Sequence, residues 1–342
     1  MALTPLVSPF CHAGPAQCKL RIVRSSSGLE DYKEFYLRHI LVTGGAGFIG
    51  SHLVEFLVRE NAGRIVVIDN LKRGRLANLA QVIDRIEFIN GDIRDRELME
   101  RESQGVDLIY HLAAQSNVLG AVQDLDYSFT TNVAGTLEVL RAAQQSGARR
   151  VVFTSSREVY GDPHSLPVLE SAPIAPKNAY GASKAAAEMY CRVLSTAQMT
   201  VAVVRLANVY GSRDFDRVIP IFVDQALQNL PLTLNGGKQI LDFVWIDTVI
   251  QGLIGAAELP VWPGPVNIGS GVPTTIADLA AQVVGKAGSL SEVRVGPRRD
   301  VEVSRFVAST EYMRQTLGLV PPSNPLFQLP ALIESMKKVY KS

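Results

Sequence analysis

The chain is poor in several things, and each shortage narrows what it can be. Its 342 residues include three cysteines, Cys11, Cys18 and Cys191. These show neither metal-ligand spacing nor a disulfide framework, so a reducing, cytoplasmic setting and no bound metal are expected. No apolar run approaches the roughly 18 residues that a membrane-spanning helix needs. Charge is nearly balanced, with Lys+Arg 34 against Asp+Glu 33, and no long basic run appears. Nucleic acid and anionic membrane are therefore poor candidates for partners, and a small-molecule site is favoured. Residues 1–29 have no acidic residue at all, yet carry Lys19, Arg21, Arg24 and the run SSSG. That end reads as a flexible extension over 1–38, with an organelle transit peptide as the alternative, and LEDYKEFYLR at 29–38 as a short helix leading into the core. Internal repeats and low-complexity tracts are absent.

What is present is a rhythm. The 47% hydrophobic content suffices for a large core. HILVTGG, RIVVID, RIEFINGD, VDLIYHLAA, RRVVFTSS and TVAVVRLANV read as strands, nearly continuous in apolar residues. Between them, GSHLVEFLVREN, TTNVAGTLEVLRAAQQSG and YGASKAAAEMYCRVLSTA have helical spacing. Buried strands alternating with helices predict an α/β fold, a doubly wound parallel sheet covered on both faces. After about residue 211, Gly, Pro and Asn interrupt shorter elements, which predicts a smaller mixed C-terminal domain.

Two patterns carry chemistry. TGGAGFIG follows the first strand and opens a helix, with Gly44, Gly47 and Gly50 spaced to let the backbone approach a pyrophosphate and Phe48 and Ile49 inside the loop. A tight turn without ligand is the bland alternative, but the second strand ends in Asp69 and Asn70, about 20 residues on, where a carboxylate binds ribose hydroxyls and repels a 2′-phosphate. NAD is thus favoured over NADP, although Lys72, Arg73 and Arg75 offer a phosphate site of their own. The second pattern is YGASK, whose Tyr180 and Lys184 are four apart and share a helix face. A phenol with a pKa of about 10 is a poor base at neutral pH. A neighbouring ammonium and the positive ring of the oxidised cofactor would both favour its phenolate. Ser156, where the fifth strand should end, reads either as a hydroxyl orienting the reacting oxygen or as a turn cap.

TGGAGFIG, VVIDN, NGDIRD, YHLAAQSNV, TTNVAGT, TSSREVYG, NAYGASK, RLANVYG and DFVWID, in this order from about His39 to Leu319, resemble the extended short-chain dehydrogenase/reductase family, and within it the nucleotide-sugar 4-epimerases with their dehydratase and decarboxylase relatives. The resemblance implies a Rossmann domain for NAD over roughly 39–211, completed by roughly 243–270, a substrate region over 212–342, and a homodimer. It places Asp92 and Ile93 beside the adenine and Leu112, Ala113 and Ala114 along the cofactor cleft. Asn132 would brace the active-site helices at the cofactor, and Asn208 would contact the nucleoside diphosphate sugar. Ser156, Tyr180 and Lys184 take the catalytic positions.

Two departures matter. Many relatives keep an Arg before the Asp of the returning strand, where KQILDFVWID has Leu241, so diphosphate binding is expected to rest on Arg213, Arg217 and Arg298 or Arg299. At the end of the fifth strand, Arg157 replaces the acid of one dehydratase class. Glu158 is expected to face the sugar as a base or hydroxyl acceptor, with Arg157 pointing the other way, and a surface ion pair is the bland alternative. Epimerisation asks for the fewest extra groups. The expected activity is therefore a UDP-sugar 4-epimerase, UDP-glucose and UDP-galactose being the first pair to consider. A 4,6-dehydratase, a UDP-glucuronate decarboxylase and a non-catalytic NAD sensor are the alternatives.

Overall fold

The computed structural model describes residues 39–339, so the expected flexible extension, the helix at 29–38, Cys11 and Cys18 lie outside the described residues. Seven strands form one sheet: β1 (His39–Thr43), β2 (Arg64–Asp69), β3 (Glu87–Asn90), β4 (Leu108–His111), β5 (Arg150–Ser156), β6 (Thr200–Leu206) and, returning late, the tenth strand (Val266–Ile268). Every pairing in it is parallel. Side chains alternate along each strand, and both faces are apolar. Ile40, Val42, Ile65 and Val67 join one core, whereas Leu41, Val66 and Ile68 join the other. The first core is closed by α1 (Phe48–Arg59), which contributes Leu53 and Leu57, and by a helix at Ile246–Glu258. The second is closed by α2 (Arg96–Glu102) and by the helices at Thr136–Ser146 and Ala179–Leu194. Each fully buried Leu, Ile or Val contributes about 1.5–3 kcal/mol relative to exposure, so the two cores together fix the sheet.

Strand order sets the position of the site. β1 lies between β2 and β4, so the chain runs outward through β2 and β3 and then returns to the other side of β1. A crevice opens where the order reverses, beyond the carboxyl ends of β1 and β4.

The helices between β4 and β6 are α3 (Val118–Gln123), α4 (Leu125–Phe129), α5 (Thr136–Ser146) and α6 (Ala179–Leu194). The helix expected over 130–147 is not uniform: residues 130–135 form a wide π turn before α5. Thr136 Oγ1 donates to the Asn132 carbonyl at 2.7 Å, and the Asn132 side chain bonds Gln115 and Ser183. Such turns recur at functional sites.

The single strand expected over 200–209 is split. After Ala207, whose N–H still donates to Ile268 O of the main sheet, β7 (Asn208–Tyr210) begins a second sheet. That sheet has the order β11-β9-β7, with β9 (Ile240–Trp245) central and β11 (Pro273–Thr275) antiparallel to it. β8 (Leu232–Asn235) pairs with β12 (Val293–Gly296), and β10 is the strand at Val266–Ile268 in the main sheet. Phe222 and Val223 of α7 (Val218–Leu227), Leu279 and Val283 of α9 (Ile276–Ala287) and Ile333 of α11 (Leu329–Val339) form the third core. α8 is the helix at Ile246–Glu258, and α10 spans Glu311–Leu317.

Asp242 on β9 holds this half together. Fully buried, it accepts from Ser270 N at 2.7 Å, Ser270 Oγ at 2.6 Å, and Gly271 N and Ala308 N at 3.0 Å each. Asp242→Ala would leave three buried backbone N–H groups without acceptors, each costing about 1–3 kcal/mol. The expected outcome is a loss of at least about 3 kcal/mol in denaturant unfolding. A variant as stable as the wild type would show that water takes over the carboxylate's bonds.

Candidate active-site cleft

The crevice at the strand ends opens into a cleft of about 880 Å³ that runs from the glycine loop to β9 and α7. Its floor is built by close backbone approach. Gly44 has φ +73°, and a β-carbon at Gly50 would lie 2.2 Å from Gly44 O, so neither position admits a side chain. α1 starts at Gly47 without a side-chain cap, which leaves its first N–H groups open to an anion. Gly44, Gly47, Phe48, Ile49 and Gly50 all border the cleft.

At the end of β2, Asp69 accepts from Ala46 N at 3.0 Å and Leu71 N at 2.9 Å, and burial pushes its carboxyl above the usual range. A β-carbon at Gly74 would lie 2.6 Å from Asp69 Oδ1, so the loop passes directly over the carboxylate. Asn70 borders the cleft and donates to Asp92 at 3.0 Å. Asp92 itself is turned away from the cleft: although burial opposes it, hydrogen bonds from Arg94 and Asn70 hold its carboxyl down at about 2. Ile93, next to it, does border the cleft, as do Leu112, Ala113 and Ala114. Asn132 lies behind that wall, accepting from Gln115 N at 2.8 Å and donating to Ser183 Oγ at 2.8 Å; its place is bracing α6 against the loop after β4, away from the cleft surface. The basic residues after β2 are engaged, with Lys72 Nζ 3.1 Å from the Tyr127 ring centre, Arg73 on Asp216 at 2.6 Å, and Arg75 over Phe215.

Ser156 ends β5, as the sequence suggests, and its Oγ caps the next turn by accepting from Glu158 N at 3.2 Å, close to the Tyr180 hydroxyl. Tyr180 stands on the first turn of α6, which Asn178 caps by accepting from Gly181 N at 2.8 Å. Burial raises the Tyr180 pKa, while the Ser156 bond, Arg217 and Arg157 oppose that rise. Lys184 donates its ammonium to Thr154 O at 2.8 Å above the Phe153 ring, and Arg217 and Arg157 are two cations that favour the Tyr180 phenolate. Burial pushes Lys184 down to about 8.

Arg157 and Glu158 do not point opposite ways. They pair at 2.9 Å, with side chains only 12% and 6% exposed, so the surface-pair alternative fails as well. The chain turns into a 3₁₀ helix at Arg157–Tyr160 directly after β5, and the alternation of a strand does not extend into it. The other Glu158 oxygen accepts from Asn178 Nδ2 at 2.7 Å.

The expected diphosphate arginines also have protein partners. Arg213 binds Glu55 and Ser51 on α1, Arg217 binds Asp214 at 3.0 Å beside the Phe48 ring, and Arg299 binds Glu302 at 3.1 Å. All three border the cleft, but the exposed Arg298 does not. Asn208 and Leu241 border it too, the amide donating to Asp242 O at 3.1 Å. Sequence reasoning missed Asn178, Asp214 and Asp216. An Asn before a helix signals a cap and would have identified the first; the partners of the two aspartates arise only in the fold. Among the described residues no cluster of three or more His, Cys, Asp or Glu can hold a metal, and no helix is long and apolar enough to cross a membrane.

Comparison with known proteins agrees with this geometry. A putative UDP-glucose 4-epimerase of Methanocaldococcus jannaschii is 37% identical over 291 residues, covering 82% of this chain and 93% of the relative. UDP-glucuronic acid decarboxylase 1 of Arabidopsis thaliana is 36% identical over 71% of this chain and 57% of its own length. Among solved structures, UDP-glucose 4-epimerase of Thermotoga maritima with UDP-glucose matches with TM-score 0.84 and 31% identity, covering 88% of this chain and 99% of that one. DesIV of Streptomyces venezuelae, a dTDP-glucose 4,6-dehydratase solved with NAD, matches with TM-score 0.83 and 33% identity, covering 88% and 97%. The family model for the NAD dependent epimerase/dehydratase family covers residues 40–269, and the chain belongs to that NAD-dependent enzyme family.

Proposed function

We propose that the protein is a 4-epimerase of a UDP-hexose, UDP-glucose and UDP-galactose being the reference pair, working in the cytoplasm as a homodimer. The uncapped α1 N-terminus, the glycine approach and Asp69 suit a dinucleotide pyrophosphate and its adenosine ribose. NAD, when bound, accepts hydride from C4 of the sugar and returns it. Tyr180, as phenolate, takes the proton of the C4 hydroxyl and later gives it back, while Ser156 orients that oxygen. Arg217 and Arg157 offset part of the cost of a buried phenolate.

The observation that carries epimerisation over 4,6-dehydration is the Arg157–Glu158–Asn178 chain. A 4,6-dehydratase needs an acid at C6 and a base at C5. A guanidinium does not give up its proton in proteins, so Arg157 is no acid. Glu158 has one oxygen on Arg157 and the other on Asn178, which favours a fixed carboxylate over a mobile base. An epimerase needs neither group, only room for the 4-keto sugar to turn. The UDP-glucose names of the relatives above support the nucleotide. A buried, unpaired Cys191 fits a reducing compartment. For the dimer, α4 packs on α6, and both expose apolar side chains outward, with Leu125 61% and Val193 76% exposed.

Incubation with UDP-glucose should give UDP-galactose of unchanged mass, with deuterium at C4 retained. Loss of water or of carbon dioxide in the product's mass spectrum would replace this reading by the dehydratase or the decarboxylase. Absence of any turnover despite tightly held NAD would leave only a sensor. Tyr180→Phe should lower kcat by roughly 10²–10⁴-fold, the usual worth of a positioned acid–base group, without loss of NAD. Because burial brings Lys184 down to about 8, its ammonium loses the proton as pH rises through that value, and kcat/KM should fall there. A profile flat through pH 8 would remove the ammonium from the mechanism. Val193→Glu should convert a dimer to a monomer in light scattering; an unchanged mass would place the contact elsewhere.

A further inference from the structure

Glu188 belongs to no part of the cleft. It lies on α6 one turn beyond Lys184 and two beyond Tyr180, and is 3% exposed. Ser155 Oγ on β5 donates to its Oε1 at 2.5 Å. Arg205 on β6 grips it from Nε at 2.9 Å and from Nη2 at 2.7 Å. Arg205 Nη1 then reaches the Tyr160 hydroxyl at 2.8 Å, which donates to Asn267 Oδ1 on β10 at 2.8 Å. One polar chain thus ties α6 to three parallel strands inside an otherwise apolar interior.

A buried ion pair is seldom more stabilising than apolar side chains of similar volume, so stability does not explain this one. Its position does. Ser155 stands between Thr154, whose carbonyl receives the Lys184 ammonium, and Ser156, whose hydroxyl meets Tyr180. The strand end and the helix that carry the reactive groups are therefore joined at Ser155 and Glu188, on the strand face opposite to Ser156.

We propose that Glu188 is a positioning residue for hydride transfer: through Ser155 and Arg205 it fixes the carboxyl end of β5 against α6, and so sets Ser156 and Lys184 relative to Tyr180. This rests on the oxidation at C4 proposed above. The charged and titratable groups facing Lys184 are Glu188 and Cys191 on α6 and His111 on β4, with Arg205 of β6 acting through Glu188. His111 is held neutral by burial at about 3, and burial pushes the Cys191 thiol up. Glu188 is thus the carboxylate that supports the ammonium.

The test is a single-turnover measurement of NAD reduction, read from the absorbance of the reduced nicotinamide when NAD-loaded protein meets UDP-glucose. Oxidation at C4 precedes the divergence of epimerase, dehydratase and decarboxylase, so the readout holds whichever product forms. A paired Glu188→Met and Arg205→Met variant removes both charges together and avoids stranding one of them. It should fold and keep its NAD, yet reduce it at least tenfold more slowly, with the high-pH fall moved to lower pH. Ser155→Ala, which leaves the ion pair intact, should slow reduction at least threefold with little change in KM or thermal midpoint. Wild-type rates and pH profile in folded, NAD-loaded Ser155→Ala overturn the proposal, even if the paired variant does not fold. A wild-type protein that never reduces its NAD with UDP-glucose or UDP-glucuronate would overturn the proposed function and this inference with it.

Discussion

One close approach organises the molecule. α1 passes so near the end of β1 that a single β-carbon at Gly50 would collide with Gly44 O. Because nothing larger than glycine fits, the N-terminus of α1 opens at the switch point of the sheet, with its N–H groups facing the cleft. Asp69 is fixed from the same loop by Ala46 N, and Gly74 passes over it for the same steric reason. Cofactor position, reaction position and substrate cleft all descend from that one steric fact, since β4 and β5 stack in register beside β1 and bring Ser156 to the same edge.

Around this edge the charges are arranged in pairs. Arg73 meets Asp216, Arg213 meets Glu55, Arg217 meets Asp214, and Arg299 meets Glu302. Several of these pairs join the segment 213–217 to the glycine-loop helix and the loop after β2, and so bridge the cleft. The exposed Arg299–Glu302 pair is worth at most about 1 kcal/mol, whereas the Asp214 carboxylate under Arg217 is almost fully buried. The Glu188–Arg205 pair, by contrast, is buried on both sides and lies outside the cleft. Burial separates the two kinds.

Much of this was legible in the sequence, for a physical reason. The glycine loop, Asp69 and the Tyr180–Lys184 spacing are short-range features, set by φ, by helix pitch and by the length of a strand. The parallel sheet follows from continuous apolar runs in the same way. What escaped were contacts that only the fold creates. Arg213 finds Glu55 across 158 residues, and no spacing rule connects them. β6 and β7 read as one strand because Ala207 is as apolar as its neighbours, yet its N–H completes the ladder to Ile268 of β10, and only from Asn208 does the chain pair with β9 instead. Arg157 and Glu158 were misread because strand alternation was extended two residues too far, into a 3₁₀ turn.

Under the proposed mechanism, removal of hydride from C4 would rest on Ser156 and Tyr180, which β5 and α6 fix. The fate of a keto sugar would then rest on groups such as the first two residues after β5, where the backbone has left the sheet and side chains answer to local partners. In this chain the two are a cation and an anion locked to each other, and the carboxylate is held a second time by the residue that caps α6. The helix that presents Tyr180 and the pair that would decide the sugar's fate are thus mechanically one unit. A base freed at Glu158 would need Asn178 to give up one of its bonds, and Asn178 holds the turn on which Tyr180 stands.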